Sequence, residues 1–136
     1  MIKVYGIPNC DTVKKARAWL ATQGVAHTFH DFKKQGVPLD RLPSWANAVG
    51  WDKLINRQGT TWRKLDATAQ ASAQTPAGAT TLVLANLSII KRPVIEWGAG
   101  ALSNQDRSEA NDGGVNVTVG FDAQDWAKML KKTVSE

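Results

Sequence analysis

The stretch Ile2-Lys3-Val4-Tyr5-Gly6-Ile7-Pro8-Asn9-Cys10-Asp11-Thr12-Val13-Lys14-Lys15-Ala16 changes its period partway along. Its first residues are a short apolar run that reads as a buried strand. Pro8 and Asn9 mark a turn, since proline presets its own φ and asparagine tolerates turn geometry. From there the apolar positions are Val13, Ala16 and Leu20 with basic residues between them, the spacing of an amphipathic helix that ends near Gly24. Residues 26–32 alternate and are rich in aromatic and β-branched side chains, so a second strand is expected there. Strand, helix and strand in so short a span make a βαβ unit, which implies parallel pairing and a right-handed crossover.

Cys10, the only cysteine, stands where the strand hands over to the helix. A thiol at a helix N-terminus faces unpaired N–H groups and the positive end of the helix dipole, and both favour thiolate, the reactive form. Lys14 and Lys15 add positive charge one turn on, while Asp11 opposes them. A lone cysteine is also commonly a small buried hydrophobe, and residue type alone does not separate the two roles.

The chain has 136 residues, enough for one domain with a core that needs no cross-link, and one cysteine forms no internal disulfide. The N-terminus lacks the apolar stretch of a signal peptide, and the longest apolar run, 80–90, is interrupted by Asn86 and Ser88, so a cytoplasmic protein without a membrane span is expected. The net charge of +5 permits an anionic partner. Basic residues are scattered rather than gathered in one run, which argues against nucleic acid and suits a small anion such as glutathione or an oxyanion. One cysteine with His27 and His30, both in a strand pattern, makes no metal-ligand cluster, so no metal is expected. Of the six tryptophans, Trp19, Trp62 and Trp126 fall in helical patterns and read as core.

Residues 38–88 read as a helical block. One helix opens at Pro38 and runs to about Val49, punctuated by Pro43; another begins with Trp62, capped by Thr60 or Thr61, and continues to Ala73; a third starts at Thr75-Pro76 and reaches Leu87. Residues 89–97 form a strand introduced by Pro93, residues 115–121 another, and Asp122 caps a final helix over 123–132. Between the two late strands, residues 98–114 are rich in Gly, Asn, Asp and Ser and read as a long loop. The order is βαβ, a helical block, then ββα: one thioredoxin-like α/β domain over 1–136 with helices inserted at about 38–88.

Three stretches, Tyr5-Gly6-Ile7-Pro8-Asn9-Cys10-Asp11-Thr12, Asn56-Arg57-Gln58-Gly59-Thr60-Thr61-Trp62-Arg63-Lys64-Leu65 and Ile90-Lys91-Arg92-Pro93-Val94-Ile95, together with Val119-Gly120-Phe121-Asp122, resemble the arsenate reductase/Spx family of glutaredoxin-like proteins, and within it the YffB-type branch. The resemblance covers nearly the whole chain, with 98–114 longer than expected. It implies that Cys10 is the redox centre, that Pro93 is a cis proline beside the thiol, and that Arg92 binds an oxyanion, with Arg57 near another of the family's arginines. A guanidinium fork suits an oxyanion and also stabilises a thiolate. Without the resemblance, Pro93 reads equally as an ordinary strand-start proline and Arg92 as an exposed arginine. There are departures. The reductases usually carry histidine where Gly6 stands and a third oxyanion arginine near Gly120-Phe121, and a Cys-x-x-Cys switch of Spx proteins would need a thiol where Val13 stands.

These readings together lead to a glutathione-dependent thiol oxidoreductase with a single nucleophilic cysteine. Cys10 and Arg92 are its catalytic candidates, and Pro93, Arg57, Lys14 and Asn9 its candidates for substrate or glutathione binding. Its cofactor is none, glutathione serves as co-substrate, the partners are glutathione or glutaredoxin and a small thiol or oxyanion, and a monomer is expected. The alternative from another class is a non-enzymatic Spx-like regulator that binds RNA polymerase or another protein; a third is arsenate reduction proper.

Overall fold

The computed structural model describes residues 2–98 and 116–134, with side chains described up to residue 130. The elements are β1 (Ile2–Gly6), α1 (Asp11–Thr22), β2 (His27–Asp31), α2 (Phe32–Gln35), α3 (Leu42–Val49), α4 (Trp51–Leu54), α5 (Thr60–Lys64), α6 (Ala67–Ser72), α7 (Pro76–Ala85), a 3-10 turn (Leu87–Ile89), β3 (Val94–Glu96), β4 (Val117–Val119) and α8 (Ala123–Val134). The anticipated loop at 98–114 lies, apart from Gly98, outside the described residues. Among the described residues no helix is long and apolar enough to cross a membrane.

The four strands form one sheet in the order β2-β1-β3-β4. β1 and β2 run parallel with Val4 opposite Phe29, the pairing a βαβ unit dictates. β3 runs antiparallel to β1 with Val4 opposite Ile95, and β4 antiparallel to β3 with Ile95 opposite Thr118. Because successive strand residues point to opposite faces, the sheet separates two cores. On one face Ile2, Val4, Ile95 and Trp97 pack with Ala16 and Leu20 of α1 and Trp126 of α8. On the other, Tyr5 and Val94 meet Trp45, Leu54, Trp62, Val83 and Ile89 from the helical block.

Local chemistry explains the element boundaries, including those that differ from the sequence expectation. Residues 38–41 are a turn and α3 begins only at Leu42. Pro43 occupies its first turn, where a missing N–H costs nothing, so it starts the helix rather than punctuating it. The single helix expected over 62–73 is two. α5 ends at Lys64, and α6 starts afresh because the Asp66 carboxylate accepts from Ala69 N at 2.8 Å. Thr75 caps α7, its hydroxyl accepting from Gly78 N at 3.1 Å, with Pro76 in the first turn. Asp122 accepts from Asp125 N at 3.1 Å at the start of α8. The short α2 falls directly after β2, capped by Asp31, whose carboxylate accepts from Lys33 N at 2.8 Å.

Candidate functional site

The site grows from the β1–α1 turn. Cys10 is extended (φ −111°, ψ 126°) and is the residue from which α1 starts; its carbonyl accepts from Lys14 N at 2.9 Å, and its own N–H donates to Ile7 O at 3.2 Å. That fold-back closes the Pro8-Asn9 turn and leaves the half-buried thiol at the helix N-terminus. Gly6 fits this turn for a steric reason: a Cβ there would lie 2.9 Å from Val13 Cγ2, the side chain of a fully buried residue.

The second wall is the segment before β3. Asn56 N donates to Ile89 O at 2.7 Å and Lys91 N to Leu54 O at 2.8 Å, which ties residues 54–56 of the helical block to residues 89–91. Beyond this tie the Arg92–Pro93 peptide is cis, the geometry the resemblance implies. Gly120, at φ +80°, donates its N–H to Pro93 O at 2.9 Å, and the stem of Lys91 lies over it, 3.1 Å from where a Cβ would stand. Positive φ and close approach together explain glycine at that position.

Arg92 Nη1 donates to Ser88 O at 2.8 Å and Ile90 O at 3.3 Å. Its Nε is buried and has no hydrogen-bond partner among the described residues. The side chain acts on Cys10. Burial pushes the thiol up, but the Val13 N–H, the hydrogen-bonding and positive charge of Arg92, and the Thr12 N–H outweigh burial and hold the thiol below its ordinary value. Helix terminus and guanidinium thus work in the same direction.

The structure therefore brings Cys10 and Arg92 together, with Pro93 following Arg92 through the cis peptide. Asn9 is exposed in the turn beside Cys10. Lys14 and Arg57 stand apart from the thiol. Lys14 lines a shallow recess on the flank of α1 with Arg17, Ala18, Ala21 and His27. Arg57 donates to Asp52 Oδ1 at 3.0 Å, and its guanidinium carbon stands 5.4 Å from the centre of the Trp62 ring. Neither figures among the main influences on the Cys10 sulfur. Among the described residues no group of three or more His, Cys, Asp or Glu side chains gathers to hold a metal ion.

A second charged cluster was not anticipated from the sequence. Glu96, only 4% exposed, accepts from Tyr5 Oη at 2.7 Å, Arg41 Nε at 2.7 Å and Trp45 Nε1 at 2.9 Å, and Arg41 Nη2 also reaches it at 2.7 Å. Burial pushes its carboxyl up, yet the bonds from Arg41, Trp45 and Tyr5 prevail and hold it below the usual carboxylate range. Burial and the bond to Glu96 raise the Tyr5 phenol. The only hint in the sequence is a carboxylate between Ile95 and Trp97 in an otherwise apolar strand.

Comparison with known proteins finds similarity over most of the chain. The profile of the ArsC family matches residues 5–129. An uncharacterized protein of Haemophilus influenzae is 41% identical over 109 residues, which are 80% of this chain and 95% of that protein. The global transcriptional regulator Spx 1 of Oceanobacillus iheyensis is 26% identical over 98 residues, 70% of this chain and 72% of that protein. Among solved structures, the YFFB protein superposes with a TM-score of 0.78 at 39% identity, covering 96% of this chain and 99% of that one. An arsenate reductase (ArsC) related protein from Brucella melitensis gives 0.65 at 37% identity, with 96% and 94% covered.

Proposed function

The chain belongs to the ArsC family and shares the thioredoxin-like fold of its structural neighbours, and on that premise we propose that it is a glutathione-dependent thiol oxidoreductase whose single nucleophile is Cys10. One observation carries the reading: the only thiol of the chain sits at the start of α1 beside Arg92, with its pKa lowered. Thiolate is the attacking species in disulfide exchange.

In the proposed cycle the Cys10 thiolate attacks the glutathione sulfur of a mixed disulfide. A Cys10–glutathione disulfide forms and the substrate leaves as its thiolate. A second glutathione thiolate then attacks the glutathione sulfur bound to Cys10, releasing oxidised glutathione and restoring the Cys10 thiolate. The incoming glutathione thiolate is the reductant: its sulfur is oxidised to the disulfide of oxidised glutathione as the substrate sulfur is reduced to thiolate. The glutathione sulfur of the mixed disulfide stays at the disulfide level, and the incoming external thiol stands in for the resolving cysteine the sequence lacks. Arg92, whose buried Nε has no other partner among the described residues, keeps the sulfur ionised as the attacking and then the leaving group. Pro93 shapes the wall beside it, and Asn9 offers an exposed polar side chain at its mouth. Lys14 and Arg57 stay outside this core of the proposal, Lys14 lining the recess on α1 and Arg57 paired with Asp52.

The test is the alkylation rate of Cys10 against pH, combined with mass spectrometry after exposure to oxidised glutathione and turnover of a glutathione mixed disulfide coupled to glutathione reductase. A midpoint below the free-thiol value of about 8.5, one glutathione adduct and turnover support the reading. An inert thiol overturns it.

The similarity to Spx 1 favours a second reading, a regulator that acts by binding RNA polymerase or another protein. It predicts that Cys10→Ser leaves partner binding intact, whereas the oxidoreductase loses all turnover. Arsenate reduction proper has less support: a histidine at Gly6 would need room that Val13 occupies, and no arginine stands at Gly120 or Phe121.

A further inference from the structure

On the side away from β4 the sheet ends in β2, and among the described residues the main chain of Thr28, Phe29 and His30 pairs only with β1. An edge strand presents alternate N–H and C=O groups outward, ready to pair with another extended chain. Asp31 has its N–H taken by Gln35 Oε1 at 3.2 Å, so the open part of the edge is the stretch before it.

The flank beside this edge is basic. Lys14, Arg17, Ala18 and Ala21 follow one another at the three- and four-residue steps that share a helix face. With His27 of β2 they line an open recess of about 460 Å³ that contains no acidic side chain. Arg17 is held over the strand, its guanidinium carbon 4.1 Å from the centre of the Phe29 ring, so its charge is positioned at the edge. At the far end of β2, Lys33 and Lys34 are exposed, and the Asp31 carboxylate is occupied by their backbone N–H groups at 2.8 and 3.4 Å. Cations therefore stand over the middle of an open strand edge and at the end that leads into α2. The recess is shallow and spreads its charges along the helix instead of converging donors on one point, which suits an extended polyanion better than a single small ion.

We propose that the β2 edge and the basic flank of α1 form a docking surface for an extended acidic segment of a protein partner. The segment adds a strand beside β2 through main-chain hydrogen bonds, and its carboxylates meet Arg17 and Lys14 along the α1 flank and Lys33 and Lys34 just beyond Asp31. The surface is independent of the thiol chemistry, although Lys14 lies one turn from Cys10 and so places a docked partner near it.

The probe is a fluorescein-labelled peptide of alternating Glu and Val, followed by anisotropy against the full chain. Binding should weaken steeply as salt rises from about 50 to about 500 mM, because exposed charges are screened. A peptide of alternating Lys and Val should not bind. Methylating alternate backbone amides of the acidic peptide should weaken it about tenfold by removing strand hydrogen bonds, and Arg17→Glu or Lys33→Glu should each weaken it about fivefold. The methylated peptide keeps the test independent of how any variant folds. No binding, or binding indifferent to amide methylation or to both charge reversals, overturns the proposal. So does tighter binding of oligo-dT than of the acidic peptide, which would assign the flank to nucleic acid.

Discussion

β3 separates two arginines with opposite fates. At its far end Arg41 meets Glu96, whose two carboxylate oxygens are filled by Tyr5, Trp45 and two nitrogens of Arg41. At its near end Arg92 spends one nitrogen on two carbonyls, keeps a buried Nε without a protein partner among the described residues, and faces a thiol. The first cluster is closed around its carboxylate, both of whose oxygens are hydrogen-bonded. The second retains donor capacity beside a thiol, and a buried polar group without a partner costs free energy that a structural site has no reason to carry. The contrast separates a charge pair that holds elements together from one available for chemistry.

The largest effect expected of any substitution is at Cys10. Cys10→Ser should reduce thiol–disulfide exchange to the uncatalysed background while thermal unfolding stays nearly unchanged, checked by coupled turnover and calorimetry. Next is Glu96→Gln, which should lower stability by about 3 kcal/mol, since breaking a buried ion pair leaves the other charge and its neighbours uncompensated; denaturant unfolding measures it, and the Cys10 alkylation rate should barely move. The same carboxylate sets a pH dependence. Its folded pKa lies below its unfolded one, so its contribution is complete above the ordinary carboxylate value of roughly 4.3 and disappears as pH falls through the folded value. The wild type should therefore lose stability in acid over a range where Glu96→Gln is flatter.

Arg92→Met inverts the pattern. The Cys10 pKa should rise toward the free-thiol value and alkylation near neutral pH slow about tenfold, one pKa unit being tenfold in thiolate, with little loss of stability. If Arg92→Met unfolds the chain and Glu96→Gln abolishes reactivity, the distinction between the two clusters is wrong. The smallest effect is at Gly6→Ala, where the new methyl presses on Val13 Cγ2. Overpacking at that fully buried residue should cost about 1–2 kcal/mol, read as a lowered unfolding midpoint.

The position of Cys10 was legible in the sequence because its cause is local, whereas Arg92, 82 positions on, came only from the family resemblance. A strand, a Pro-Asn turn and a helical period place Cys10 at a helix N-terminus with no knowledge of distant residues. The closed end was not, because Tyr5, Arg41 and Trp45 stand 91, 55 and 51 positions from Glu96, and no periodicity reports such a meeting. Lys14 shows the converse. Its spacing places it one turn from Cys10, but it lines the recess on the flank of α1 and is not among the main influences on the Cys10 thiol. In the helical block the Ala-rich run after Trp62 concealed the cap at Asp66, so two short helices read as one. Pro43 read as a break because its position in the helix depends on where the preceding turn ends.

The division of the molecule by its sheet extends to its six tryptophans. Trp45, Trp51 and Trp62 lie with the helical block, and Trp19, Trp97 and Trp126 lie between the sheet and the pair α1 and α8, with Trp97 and Trp126 ring centres 5.0 Å apart. Each side thus contains its own set of fluorophores, and the second set is close enough for exciton coupling in the near-ultraviolet. Replacing one set by phenylalanine would leave an optical signal confined to the other side, and loosening of the helical block could be followed separately from loosening of the α1–α8 layer.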